Sequence, residues 1–224
     1  MTFSIAARCA KTGRFGVAVA SSSPAVAARC AHGRAGIGAV TSQNVTDPRL
    51  GRQALDLLAL GASGPEARNI IAATAPHAAH RQLTVIDARG RTAAFSGIQT
   101  LGLHAEAEGL HVVSAGNLLA NTSVPRAIVR AFEATDGQAL GDRILAGMAA
   151  GLAAGGEAGP IRSAGMLLFG DVPWAIADLR IDWHDAPIAE LGLLWEVWKP
   201  QMEAYVTRAL NPSDAPSYGV PGDE

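Results

Sequence analysis

Residues 2–20, TFSIAARCAKTGRFGVAVA, decide how the rest of the chain is read. Thr2, Ser4, Ala6 and Arg8 alternate with Phe3, Ile5, Ala7 and Cys9, and a period of two is the signature of a β-strand. Lys11-Thr12-Gly13-Arg14 supplies a turn, and Phe15–Ala20 reads as the returning strand. A hairpin this early ties down a segment that is loose in most proteins. If Met1 is removed, Thr2 carries a free α-amine at the edge of that sheet, so Thr2 is a candidate nucleophile that brings its own base.

The composition is 49% hydrophobic and 17% charged, which suits a chain with a full core; alanine dominates, so the core is expected to be close-packed from small side chains. A formal net charge of −2 lacks the basic balance that nucleic-acid binding demands. No apolar stretch approaches the roughly 20 residues of a membrane span. No charged region followed by a long apolar run opens the chain, so no signal peptide is expected and the cytoplasm is the default location. Cys9 and Cys30 read as small core residues, and the six histidines lack metal-ligand spacing. No metal and no cofactor is expected: phosphate-loop, HExxH and GxSxG patterns are missing from the sequence.

Further along, Gly36–Ser42 reads as a buried strand, and Pro48 opens a helix capped by Asp47. A second helix covers Pro65–Thr74. Arg81–Asp87 and Thr92–Ser96 form a second hairpin around Ala88-Arg89-Gly90-Arg91, and Leu110–Ser114 is a strand before the Gly116-Asn117 corner. Helices then follow Thr122 or Ser123 and run from Gln138 to Ala154. Strands follow at 163–169 and 174–182, with one amphipathic helix from Pro187 to Leu210. The pattern predicts a single α+β domain over residues 1–210, with sheets stacked between layers of helices, and a tail over 211–224. Leu191, Leu194, Trp195, Trp198, Met202 and Tyr205 make the last helix unusually apolar, which suggests a homodimer.

Candidate chemistry gathers at strand ends. Ser21 ends the second strand, Ser42 and Gln43 the third, and Asn117 follows a strand at a glycine corner. Singly, such residues satisfy turns and helix starts. Beside Thr2 they read as a constellation. The α-amine of an N-terminal threonine, with a free-state pKa near 8, can take the hydroxyl proton, while backbone N–H groups and an amide side chain hold the oxyanion. Gln43 and Asn117 are the amides available. Ser21, Ser42, Arg29 and Arg81 are candidates for holding the substrate, the arginines for a carboxylate. An arginine cannot serve as the base at neutral pH.

The segments MTFSIAAR, FGVAVAS, RAGIGAVTSQ, RQLTVIDARGRTAAFSG, SAGNLL and DLRIDWHDAPIAEL, in that order, resemble the bacterial family catalogued as domain of unknown function 1028. That family is grouped by fold with the N-terminal nucleophile hydrolases, so the resemblance implies a four-layer αββα sandwich. Proteasome-type hydrolases with an N-terminal threonine place a lysine beside it; this chain has lysines at positions 11 and 199 alone, and Ser23 where family members often carry one. The expectation is a hydrolase of small amides or related C–N bonds with Thr2 as nucleophile. The alternatives are a non-catalytic ligand-binding or assembly protein on the same fold, and a hydrolase that activates a water.

Overall fold

The N-terminal hairpin forms, and it lies in the interior of a sheet. In the computed structural model, which describes residues 1–223, β1 (Thr2–Arg8) pairs antiparallel with β2 (Phe15–Ser21), Phe3 opposite Ala20. A single helical turn, α1 (Ala27–Cys30), leads to β3 (Ala31–Arg34) and β4 (Gly38–Asn44), then to α2 (Pro48–Ala59) and α3 (Gly64–Thr74). The second hairpin is β5 (Arg81–Asp87) with β6 (Thr92–Ser96), and β7 (Ala105–Gly109) pairs with β8 (Val112–Asn117). Helices α4 (Val124–Ala134) and α5 (Leu140–Ala153), strands β9 (Ser163–Phe169) and β10 (Ala175–Ile181), and helices α6 (Pro187–Trp198) and α7 (Met202–Leu210) follow.

Among the described residues the strands make two antiparallel sheets, ordered β10-β9-β2-β1-β8-β7 and β3-β4-β5-β6. Thr2 therefore starts a strand flanked on both sides, by β2 and β8, and not an edge strand. Alternation along β1 sets the layers. Phe3, Ile5 and Ala7 point outward to α4 and α5, packing with Ile128, Phe132, Ile144 and Met148. Ala6 points inward, with Phe15, Val17, Val19 and Val113, to meet Ala39, Ile86 and Ala94 of the other sheet. The outer face of that second sheet, through Val40, Leu83 and Val85, is covered by Leu50, Ala54 and Leu58 of α2 and by Ala67 and Ile71 of α3. The result is a four-layer αββα sandwich. No helix among the described residues is long and apolar enough to cross a membrane.

Local chemistry explains where the elements start and stop. Asp47 caps α2 by accepting the Arg49 N–H, with Pro48 in the first turn. Ser63 and Glu66 form a reciprocal capping box on α3. At α4 the capping acceptor is Asn121, whose Oδ1 takes the Ser123 N–H at 2.9 Å, rather than the Thr122 or Ser123 hydroxyl expected.

Three expectations are corrected. The single C-terminal helix is two, because Pro200 lacks an N–H and its ring clashes with the carbonyl four residues back. The strand β7 was not expected: Glu106 and Glu108 are exposed on an edge strand, and its core-facing side is only Ala105 and Ala107, too short and small an alternation to announce it. The strand expected from Leu110 starts at Val112, because His111 turns the chain with a φ of +60°.

Leu191, Trp195 and Met202 are buried in this chain's own core, and Leu194 and Trp198 pack against it, so they are not the free apolar surface on which a dimer was expected. Leu193 and Val197 are the exposed apolar residues of α6. On β10, Asp178 and Arg180 pair at 2.6 Å on an exposed face, an ordinary solvated sheet surface.

Helices α4 and α5 approach closely because Gly147 and Gly151 lie one turn apart on the shared face. A Cβ at Gly151 would sit 2.7 Å from Ile128 Cγ1, and one at Gly147 would lie 3.2 Å from the Ile128 carbonyl oxygen. Gly151→Leu should therefore destabilise the fold by about 1–3 kcal/mol through overpacking, although leucine is the better helix former. Urea unfolding of the variant, with an unchanged or higher midpoint, would show that the helices are free to separate.

Candidate functional site

The space between the two sheets is apolar at one end and polar at the other. At the polar end, Thr2, Ser4 and Ser21 of the first sheet face Thr41, Gln43, Gln82 and Thr84 of the second, all less than a tenth exposed. Buried polar groups must find partners within the protein, and most of these do. Thr41 Oγ1 and Thr84 Oγ1 are 2.7 Å apart, and Ser4 Oγ reaches Thr41 Oγ1 at 3.3 Å. Gln43 Nε2 donates to Gln82 Oε1 at 2.8 Å and to the Ala115 carbonyl at 3.2 Å. Gln82 Nε2 donates to Ser96 Oγ and the Gly116 carbonyl. Asn117 Nδ2 donates to the same Gln82 Oε1 at 3.1 Å. The exception is Gln43 Oε1, which is buried without a partner among the described residues.

At the rim of this layer the chain's first residues are held by both neighbouring strands. Thr2 lies opposite Asn117, and Ser21 opposite Ser163. Thr2 Oγ1 and Ser21 Oγ each donate to the carbonyl oxygen of Met1 at 2.5 Å, and the two hydroxyl oxygens lie 3.4 Å apart. Ser21 Oγ is itself fixed by the Ser23 N–H at 3.1 Å. Thus the Thr2 and Ser21 hydroxyls converge on one acyl oxygen.

Glu157 completes the rim. It follows Gly155 and Gly156, whose φ values of +120° and +58° turn the chain out of α5. Hydrogen bonds from Ala120 to Gly156 and from Ala158 to Leu118 lay this loop along the end of β8. Glu157 Oε2 accepts the Ser22 N–H at 3.1 Å, whereas Oε1 is buried without a partner among the described residues. Burial pushes the Glu157 carboxyl up to about 7, while the positive α-amino group of Met1 and the Ser22 N–H act in the opposite sense. The same α-amino charge acts on Cys30, whose thiol burial also pushes upward.

The residues chosen from sequence divide. Thr2, Ser21, Gln43 and Asn117 share the inward face at the polar end. Ser42 does not: adjacent strand residues face opposite sides, so with Gln43 inward Ser42 points to α2 and donates to the Asp47 carbonyl at 2.9 Å. Arg81 shares the outward phase of Leu83 and Val85, and its guanidinium donates to the Val45 carbonyl. Arg29 caps its own helical turn, donating to the Pro24 and Ala25 carbonyls at 2.7 and 3.0 Å. Lys199 pairs with Asp142 at 2.6 Å on the outer helical layer. With Met1 in place the group is closed: Thr2 is 6% exposed and Asn117 1%. Sequence reasoning missed Glu157, because an acid after a Gly-Gly helix stop looks like a loop residue. It also missed Gln82 and Thr84, although their alternation with Leu83 and Val85 was available as a signal.

The model of a family of unknown function (DUF1028) matches residues 2–191. The chain belongs to this family. The crystal structure of a family protein from Silicibacter pomeroyi is 31% identical and superposes with a TM-score of 0.81, covering 87% of this chain and 88% of that one. Anbu (ancestral beta-subunit) from Yersinia bercovieri matches at 14% identity and a TM-score of 0.42, over 92% of this chain and 97% of that one. Among curated proteins none matches the chain significantly.

The raised value for Glu157 has a signed consequence. Between its ordinary 4.5 and about 7 the folded protein holds a proton that the unfolded chain releases, so this group's contribution to stability falls as pH rises through that window. Glu157→Gln, which cannot ionise, should raise Tm at pH 8 by at least about 3 °C and change it little at pH 4.5. Calorimetric scans at the two pH values check this; equal shifts at both would mean that the carboxylate is not held at a cost.

Proposed function

We propose that the chain is a hydrolase of small amides or related C–N bonds, with Thr2 as nucleophile once Met1 has been removed. The observation that carries this reading is the convergence of the Thr2 and Ser21 hydroxyls on a single carbonyl oxygen, that of Met1, at 2.5 Å each. An acyl oxygen of a substrate at that place would meet the Ser21 hydroxyl as an oxyanion donor. The Gln43 and Asn117 amides share the inward face, where they donate to Gln82 and the Ala115 carbonyl.

On this reading Thr2 Oγ1 attacks the substrate carbonyl carbon, and its proton passes to the freed Thr2 α-amine. The tetrahedral intermediate breaks its C–N bond, and the leaving nitrogen takes that proton. Water then attacks the ester on Thr2, gives a proton to the same amine, and releases the acid as Thr2 Oγ1 regains its hydrogen. The net change is amide plus water to carboxylic acid plus amine. No lysine is required as base, because the amine is attached to the nucleophile's own residue and covalent geometry holds it within reach.

One observation favours a second reading, a ligand-binding protein without chemistry: Thr2 is sealed behind Met1, and with Met1 retained its nitrogen is an amide that cannot accept a proton. Intact mass of untagged protein separates the two, the hydrolase reading expecting loss of one methionine. Thr2→Ala should then lower turnover of any amide that the native chain hydrolyses by at least about a thousandfold, as removal of a nucleophile does. Retained methionine, or a Thr2→Ala variant as active as the native chain, overturns the nucleophile assignment.

A further inference from the structure

The Met1 residue occupies the rim as an acyl group would. Its carbonyl oxygen takes both hydroxyls, its α-ammonium group is the positive charge acting on Glu157, and its thioether lies over Gly159, where a Cβ would approach Met1 Cε to 3.1 Å and Sδ to 3.6 Å. Each part of an α-aminoacyl unit is thus met by a different feature of the protein. The carbonyl has two donors, the ammonium a buried acid in its neighbourhood with one oxygen unpartnered, and the side chain a floor with no Cβ.

We propose that the site is selective for α-aminoacyl amides, the amides of amino acids with a free α-amine: Glu157 binds the substrate ammonium and Gly159 leaves room for its side chain. This rests on the reading of Thr2 as nucleophile. An acyl group transferred to Thr2 Oγ1 lies one bond-shift away from the acyl group that Met1 places on the Thr2 nitrogen. When Met1 leaves, the Ser21 hydroxyl loses its acceptor and Glu157 loses a nearby positive charge, while its bond from the Ser22 N–H stays. Glu157 Oε1 already has no hydrogen bond among the described residues, and a buried carboxylate oxygen left in that state favours a ligand that donates to it. A substrate with its own ammonium group gives Ser21 an acceptor again and offers the unpartnered Glu157 oxygen a donor. The overall reaction, for the simplest probe, takes L-methioninamide and water to L-methionine and ammonia.

The experiment uses the chain released from a cleavable fusion so that Thr2 is its first residue, assayed at pH 7.5. L-Methioninamide is compared with the same amide lacking the α-amino group. The expected kcat/KM ratio is at least about tenfold in favour of the α-amino compound, as a charge-assisted hydrogen bond supplies, and Glu157→Gln should bring the ratio close to one. Gly159→Val should shift preference from L-methioninamide to L-alaninamide, because its side chain fills the space over which the thioether lies. Equal use of the two methionine-sized amides, or a preference that survives Glu157→Gln, overturns the proposal while leaving the Thr2 reading intact. Binding of the same two compounds to the Thr2→Ala chain, measured by calorimetry, is independent of turnover. Glu157-dependent preference there, with no hydrolysis by the native chain, supports recognition of the ammonium and removes the nucleophile. Binding without such a preference overturns the recognition.

Discussion

Side chains between two stacked sheets are out of reach of water, so every polar group placed there must be answered by another. At the polar end of this sandwich the answer is the Gln82 amide, which receives Gln43 and Asn117 on its oxygen and gives its nitrogen to Ser96 and the Gly116 carbonyl. Its partners come from both sheets, so the bonds tie β5 to β4 and β6 within one sheet and to β8 across the gap. Removing one partner would leave others buried and unsatisfied, a cost of about 1–3 kcal/mol for each such group. The same bonds fix the end of β8, and with it the strand position opposite Thr2. The geometry of Thr2 is thus inherited from an amide cluster drawn from Gln43, Gln82 and Asn117, far along the chain from it.

The fold was legible because alternation and helix signals in this chain are strong and local. Thr2–Cys9 announces the hairpin, Asp47-Pro48 and Gly64-Pro65 announce helix starts, and the grouping of strands and helices announces layers. What could not be read was set by tertiary context or by a single overlooked residue. Edge strand β7 has charge on its open face, and Pro200 divides a helix whose apolar pattern runs on regardless. The site was half legible. Thr2, Ser21, Gln43 and Asn117 share a face, but Ser42 was placed with Gln43 against the period of the strand that carries both. Arg29 and Arg81 looked like free cations, whereas backbone carbonyls occupy them. Glu157 carries no sequence pattern at all; its position depends on two left-handed glycines and on hydrogen bonds to the end of a strand distant in sequence.

Electrostatics at the rim departs from what a lysine-assisted threonine would have. The titratable side chain at the rim is an acid, Glu157, and it is held up at about 7 chiefly by burial. A buried carboxylate and an ammonium group stabilise one another's charge, so the state of each depends on whether the other is present. In this structure the ammonium belongs to Met1. Taking it away removes an influence that favours the ionised carboxylate and leaves burial to act with less opposition.

On the proposed reading, one covalent event therefore changes three properties of the site together. Cleavage after Met1 converts the Thr2 nitrogen from an amide, which cannot accept a proton, into an amine, which can. It uncovers a residue that is otherwise 6% exposed. It also moves the free amine from Met1 to Thr2, so burial pushes Glu157 further toward its protonated form until a substrate ammonium beside it favours the carboxylate again. A neutral acyl group would satisfy the hydroxyls and leave the acid alone, whereas an α-aminoacyl group satisfies both. The physical requirement that buried charge be compensated then links the maturation of the nucleophile to the choice of what it attacks.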